Sequence, residues 1–150
     1  MVNPKSTIPE LATTLLVGRA VIKDEDRILL VQRAHDDKRN PGMWEFPGGK
    51  IDANEDLMAG VVREVFEETG LVVRADSLVG YIENELVHSG KYEGYLYVAL
   101  FYAAQRLSGD LAISFEHADA VWENPEDILS RNLTNESRSA FLALSGVKLI

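Results

Sequence analysis

Four glutamates on one short stretch carry the strongest chemical signal in this chain. Between Gly49 and Leu71 the sequence sets out Glu55, then Arg63, Glu64, Glu67 and Glu68, and closes on Gly70. At about 100° per residue, an α-helix brings positions 64, 67 and 68 within roughly a third of its circumference. Three carboxylates that close repel one another unless a cation neutralises them. Hard oxygen donors suit a hard divalent ion, Mg²⁺ or Mn²⁺. Such an ion can neutralise phosphate oxygens and lower the pKa of a bound water, which is what hydrolysis of a phosphoanhydride requires. An ordinary solvated acidic stripe would explain the acids. It would not explain the glycines, Glu55 and Arg63 at fixed spacing around them.

The elements that must position these groups can be read from periodicity and turn chemistry. Met58, Val61, Val62, Val65 and Phe66 fall opposite the acids and are expected to pack into a core. Asn54 is a candidate N-cap with Glu55 and Asp56 in the first turn, and Gly70 suits a left-handed C-terminal position. Residues 12–23 and 27–34 predict a hairpin around Asp24-Glu25-Asp26, followed by a polar loop over 35–45 turning at Asn40-Pro41-Gly42. Phe46-Pro47-Gly48-Gly49 leads from a short strand into the acidic segment. Further strands are predicted at 71–75, 78–85, 94–104 and 119–123, then helical turns at 125–130 and a helix over 135–145. The 94–104 strand is apolar on both faces, which places it centrally in a mixed sheet. A sheet with one helix on each side is an α/β fold of the α/β/α sandwich type.

The acidic segment resembles the Nudix box, G-x5-E-x7-R-E-U-x-E-E-x-G-U with U a bulky aliphatic. Its fixed positions are met by Gly49, Glu55, Arg63, Glu64, Val65, Glu67, Glu68, Gly70 and Leu71. Trp44-Glu45-Phe46-Pro47-Gly48-Gly49-Lys50-Ile51 is further similar to the segment before the box in MutT-type nucleoside triphosphate pyrophosphohydrolases. The resemblance covers essentially the whole chain. It implies one Nudix hydrolase domain over 1–150, with a mixed central sheet between helices.

That resemblance also implies roles. Glu64, Glu67, Glu68 and the carbonyl of Gly48 would ligate Mg²⁺ (or Mn²⁺), Arg63 would orient a catalytic glutamate, and Glu55 would be a structural partner. The general base varies within the family. Glu64 is favoured here, with Glu116, in an E-x5-W pattern ending at Trp122, as a metal ligand or the alternative base. Arg33 matches a position contacting phosphate or base. Phe46 would pack near a nucleobase, or else belong to the core, and Asn135 would read a base or cap a helix. His35 and His117 are expected at the surface. One departure is Asp52-Ala53-Asn54-Glu55, where Asn54 replaces a common glycine. Two markers of other subgroups are missing: the proline about 15 residues past the box common in ADP-ribose enzymes, and the tyrosine 17 or 18 past it common in diadenosine polyphosphate enzymes.

Composition narrows the partners. A chain of 150 residues with 46% apolar and 26% charged residues is typical of one globular domain. A net charge of −9 argues against binding a nucleic-acid polymer, which needs a basic surface. Phosphate would need local help from Arg33, Lys38, Arg39 and Lys50. No run of about 18 apolar residues predicts a membrane span, and no signal-peptide core is evident near the first residue. The lack of cysteine excludes disulfides and suits a reducing cytoplasm. A homodimer remains compatible with these features. The expected reaction is conversion of a nucleoside triphosphate, oxidised or not, to monophosphate and pyrophosphate. The alternatives are cleavage of ADP-ribose or a nucleotide sugar, and a non-catalytic nucleotide-sensing module, which the intact acid set disfavours.

Overall fold

The computed structural model describes residues 13–145. Its elements are β1 (Thr14–Asp24), β2 (Arg27–Arg33), β3 (Trp44–Glu45), β4 (Gly48–Lys50), α1 (Leu57–Thr69), β5 (Val72–Leu86), β6 (Leu96–Ser108), β7 (His117–Glu123), a 3₁₀ turn (Pro125–Ser130) and α2 (Asn135–Leu144). Position 12 of the expected first strand and the segment read for a signal peptide lie outside the described residues. The strands form one mixed seven-stranded sheet with the order β3-β2-β1-β6-β5, and β4 and β7 join it beside β1 and β2. Among the described strands only the β1–β6 pairing is parallel, with an isolated parallel bridge between Trp44 and Leu133 beside the sheet.

Alternation along the central strands divides the core between two faces. Ala20 and Ile22 of β1, with Tyr102 and Ala104 of β6, pack against Val61 and Val65 of α1. Val17 and Val21, with Ala99 and Phe101, pack against Ala140, Phe141 and Leu144 of α2. The two-residue side-chain period of a strand produces this split, and it gives the expected helix–sheet–helix layering. Gly18 lets α1 come close, because a Cβ there would sit 2.5 Å from Val61 Cγ2.

Three local expectations need correction. Residues 72–86 form one continuous strand rather than two, with register shifts at Ala75/Ser77 and Leu78/Gly80 absorbing the break. Helix α1 is capped by Asp56, whose carboxylate accepts from the Ala59 amide at 3.2 Å, so Asn54 and Glu55 precede the helix. Phe66 is 52% exposed, one position past the buried stripe of Val61 and Val65.

The architecture opens a cleft along β1. One edge of β1 pairs with β6 throughout, while the other pairs with β4 at Val17–Arg19 and with β2 only at Lys23 and Asp24. Gly48 thus lies opposite Arg19, and a Cβ on Gly48 would fall 2.1 Å from the Gly18 carbonyl oxygen. Glycine is required there by close approach of two backbones.

Candidate active site

Helix α1 ends in a Gly70 cap with φ 75°, its amide donating to the Phe66 carbonyl. Between the caps, Glu64, Glu67 and Glu68 line one cleft with Gly48, Gly49 and Lys50, of about 970 Å³. The Glu64 carboxylate lies over Gly49, where an added Cβ would meet Glu64 Oε2 at 2.4 Å. The Gly48 amide donates to Glu68 Oε1 at 2.9 Å, tying strand to helix.

Arg63 holds the outer side of this face. Its Nε donates to Glu55 Oε2 at 2.9 Å, its Nη1 to Glu64 Oε1 at 3.1 Å and Glu67 Oε2 at 3.1 Å, and its Nη2 to the Lys50 carbonyl at 3.2 Å. The guanidinium hydrogen bond holds the Glu55 carboxyl down at about 2. Glu55 Oε1 also accepts from the Asp52 amide at 2.9 Å, so Glu55 braces the loop before α1. Burial acts the other way on two acids. It raises Glu64 against the pull of Arg63, and it pushes Glu68 up to about 7 despite His117 and the Gly48 amide.

The inner wall is a buried charge network. Arg33 donates to Glu45 at 2.9 Å and Asp37 at 2.7 Å, and its Nε is buried with no hydrogen-bond partner. Arg19, itself buried, pairs with Glu136 through a short contact, reaches Glu45 at 3.5 Å and donates to the Phe46 carbonyl at 3.1 Å. Burial alone would raise Glu45, but Arg19, His117 and Arg33 together hold it below the usual carboxylate range. His117 Nε2 stands 3.8 Å from Glu45 and 3.9 Å from Glu68, linking this network to the acidic face.

Arg19, Arg33, Arg39, Glu45 and Tyr97 also line a second cavity, of about 590 Å³. Asn135 and Glu136 at the start of α2 close one side of it, and Met43, Ile82 and Leu86 supply apolar surface. Burial pushes the Tyr97 phenol up, opposed by Arg19 and helped by Glu136.

The residues singled out from sequence are thus partly brought together. Gly48, Glu64, Glu67, Glu68 and Glu116 share the larger cleft, Arg33 faces both cavities, and Asn135 lines the smaller. Thr134, not Asn135, caps α2, accepting from the Ser137 amide at 3.2 Å. Phe46 does not line either cavity. Its ring is fully buried, edge-on to Phe101 at 6.2 Å and 6.4 Å from Phe141, so only its carbonyl serves the site.

His117 is buried rather than superficial, because the 109–116 loop folds onto the end of α1 through Ser114 N–Glu68 O (3.0 Å) and Ala112 N–Thr69 O (2.8 Å). Sequence reasoning missed Arg19, Glu45, Tyr97 and Glu136. Arg19 had a signal: it interrupts the inward series Leu15, Val17, Val21 on β1.

The donor set fits a hard divalent ion. It offers oxygen donors only, the α1 carboxylates beside the Gly48 backbone, and burial holds the Glu68 carboxyl up despite His117 and Arg19. Among the described residues, no three acids or histidines are already drawn into a closed coordination shell.

The chain matches the family model for the NUDIX domain over residues 14–144. It is 32% identical to a MutT-like protein of Streptomyces ambofaciens over 85% of this chain and 73% of that one. It is 32% identical to the CTP pyrophosphohydrolase of Escherichia coli over 88% and 94%. Other curated relatives are longer, and the match spans as little as 27% of one of them. The crystal structure of a MutT protein from Methanosarcina mazei superposes with a TM-score of 0.77 at 28% identity, covering 93% of this chain and 98% of that one. No helix among the described residues is long and apolar enough to cross a membrane. An acidic helix face clamped by its own arginine over a glycine strand, together with these matches, leads to one conclusion: the chain belongs to the NUDIX family, hydrolases that act on phosphoanhydride bonds.

Proposed function

We propose that this enzyme converts a nucleoside triphosphate to the monophosphate and pyrophosphate with Mg²⁺, or Mn²⁺, as the cation. The observation that carries this reading is the junction of the two cavities. An acidic cleft suited to a metal-bound phosphate chain shares Arg19 and Arg33 as lining with a side cavity of about 590 Å³, large enough for one nucleoside. Likeness to a CTP pyrophosphohydrolase over nearly the full length of both chains supports it.

Glu64, Glu67, Glu68 and the Gly48 carbonyl would hold the cation. When bound, that ion supplies charge neutralisation and a water of lowered pKa. Glu64 would take the proton of the attacking water, with Arg63 fixing its carboxylate and burial making it more basic. Glu116, exposed on the same cleft, is the alternative base or a further ligand. Arg33 would bind phosphate, and Asn135 would face the base.

Cleavage of ADP-ribose or a nucleotide sugar draws on a different observation. Phe115 is 93% exposed on the rim of the larger cleft, an aromatic face open to a second organic group. A panel of nucleotides with Mg²⁺, scored for pyrophosphate against monophosphate release, separates these readings. Pyrophosphate from triphosphates is expected. Turnover confined to ADP-ribose or nucleotide sugars would reverse the order, and binding without turnover would make the chain a sensor.

A further inference from the structure

The loop over residues 87–95, between β5 and β6, reaches back across the acidic cleft. Its base is closed by the Val87 amide on the Tyr95 carbonyl and the Gly94 amide on the Val87 carbonyl, each at 2.8 Å. Inside it, Glu93 N–Gly90 O (3.1 Å), Tyr95 N–Tyr92 O (3.0 Å) and an edge-on ring contact between Tyr92 and Tyr95 (5.4 Å) give it a defined shape. Gly90 and Gly94 take φ of 87° and 84°, left-handed turns that let the loop double back. The result is a tyrosine delivered to the cleft that holds Glu64, Glu67 and Glu68.

There Tyr92 Oη meets Lys50 Nζ at 2.7 Å, with the ammonium 4.7 Å from the ring centre. Lys91 Nζ lies 5.5 Å from the same ring. Lys50 lines a cleft containing five glutamates, yet among the described residues its hydrogen bond is to the phenol and not to a carboxylate. An ammonium has three N–H donors and no acceptor, so the phenol oxygen must be the acceptor here. That leaves two Lys50 donors and the Tyr92 O–H directed elsewhere. Neither residue lines the smaller cavity, so the pair belongs to the acidic cleft alone.

We propose that Lys50 and Tyr92 form a phosphate subsite in that cleft, in which the phenol keeps the ammonium off the glutamates and donates its own hydrogen to the same phosphate. The inference rests on the reading of a phosphate-chain substrate and deepens it. With the nucleoside in the smaller cavity, the subsite takes the phosphates that depart as pyrophosphate, and it favours a triphosphate over a substrate with an organic group at that end. Lysine alone would bind as a point charge. The phenol adds direction, because its O–H and the ammonium are fixed relative to each other.

The test is calorimetric titration of the full chain with inorganic pyrophosphate in Mg²⁺, alongside kinetics with the best triphosphate. Tyr92→Phe keeps the ring and removes the hydroxyl. It is expected to weaken pyrophosphate binding about fivefold and raise KM similarly, with kcat within twofold. Tyr92→Ala and Lys50→Met are each expected to lose tenfold or more in binding. Adding Tyr92→Phe to Lys50→Met should cost little further, because both act on one phosphate.

Unchanged binding in Tyr92→Phe, losses that simply multiply in the double variant, or a wild-type chain that does not bind pyrophosphate would each overturn the subsite. If triphosphates are not turned over but pyrophosphate binding still depends on Tyr92, the proposed reaction fails and the subsite stands. Triphosphate turnover indifferent to Tyr92 removes the subsite alone.

Discussion

The acidic face of α1 and the smaller cavity beside it are built in opposite ways. The first comes almost wholly from residues 48–70, where one helix and the strand before it supply the acids, the clamp and the glycines. The second draws on β1, β2, β5, β6, the 34–43 loop and the start of α2, and its main ion pair, Arg19–Glu136, joins residues 117 positions apart. The acidic face is partly open and electrostatically frustrated, with burial raising two of its carboxylates. The cavity wall is charge-compensated, its acids held by arginines, although Arg33 Nε is left without a partner. A local, strained set of charges suits the chemistry common to a family. A distributed, compensated set can vary piece by piece, and it is where discrimination between substrates belongs.

That contrast can be broken experimentally. The largest effect is expected on turnover: Glu67→Gln or Glu68→Gln should lower kcat by about 10²–10⁴ with the fold retained in circular dichroism. Wild-type rates in both variants would remove α1 from the chemistry. On the cavity side the corresponding loss is in stability. Arg19→Met leaves Glu45 and Glu136 buried without their shared cation, and should cost about 3–5 kcal/mol in urea unfolding. A loss below 1 kcal/mol would show the wall is not a compensated network.

The acidic face should also report its strain through pH. Glu68 has a folded pKa of about 7 against an ordinary 4.5, so the folded state binds the extra proton between these values. Stability of the metal-free protein is therefore full below pH 4.5 for this group and falls as pH rises to 7. The loss is about 3 kcal/mol at most. Glu68→Gln should flatten that slope, and thermal unfolding in chelator across pH 5–7.5 measures it. An equal slope in the variant would assign the loss elsewhere. The smallest effect is on selectivity: Asn135→Ala should change kcat/KM ratios among nucleobases by about tenfold while pyrophosphate remains the product. A uniform loss across bases would take the cavity out of base recognition.

Legibility in the sequence followed the same division. Glu64, Glu67 and Glu68 could be placed on one face because i, i+3 and i+4 neighbours meet on any α-helix, whatever it packs against. The sheet and the two flanking helices were legible from alternation and period, and so was an inner place for β6, although β1 and not β6 is the middle strand. The N-caps were not legible, because Asn54, Asp56 and Thr134 have similar capping chemistry to their neighbours and geometry chose among them, whereas the Gly70 C-cap was. Phe46 could serve core or cleft. The pleat between β3 and β4 turned it onto Phe101 and Phe141. His117 read as a surface residue until the 109–116 loop folded over it.

The linear chain by itself determined the acidic helix, its terminal glycine and the layered α/β fold, since each rests on interactions within a few residues or on a repeating period. Tertiary structure alone decided that Arg19, Glu45, Tyr97 and Glu136 meet at one wall, and that Tyr92 arrives beside Lys50. Residues separated by tens of positions carry no mutual period. Their meeting depends on strand register and loop path, which the packed sheet settles only as a whole.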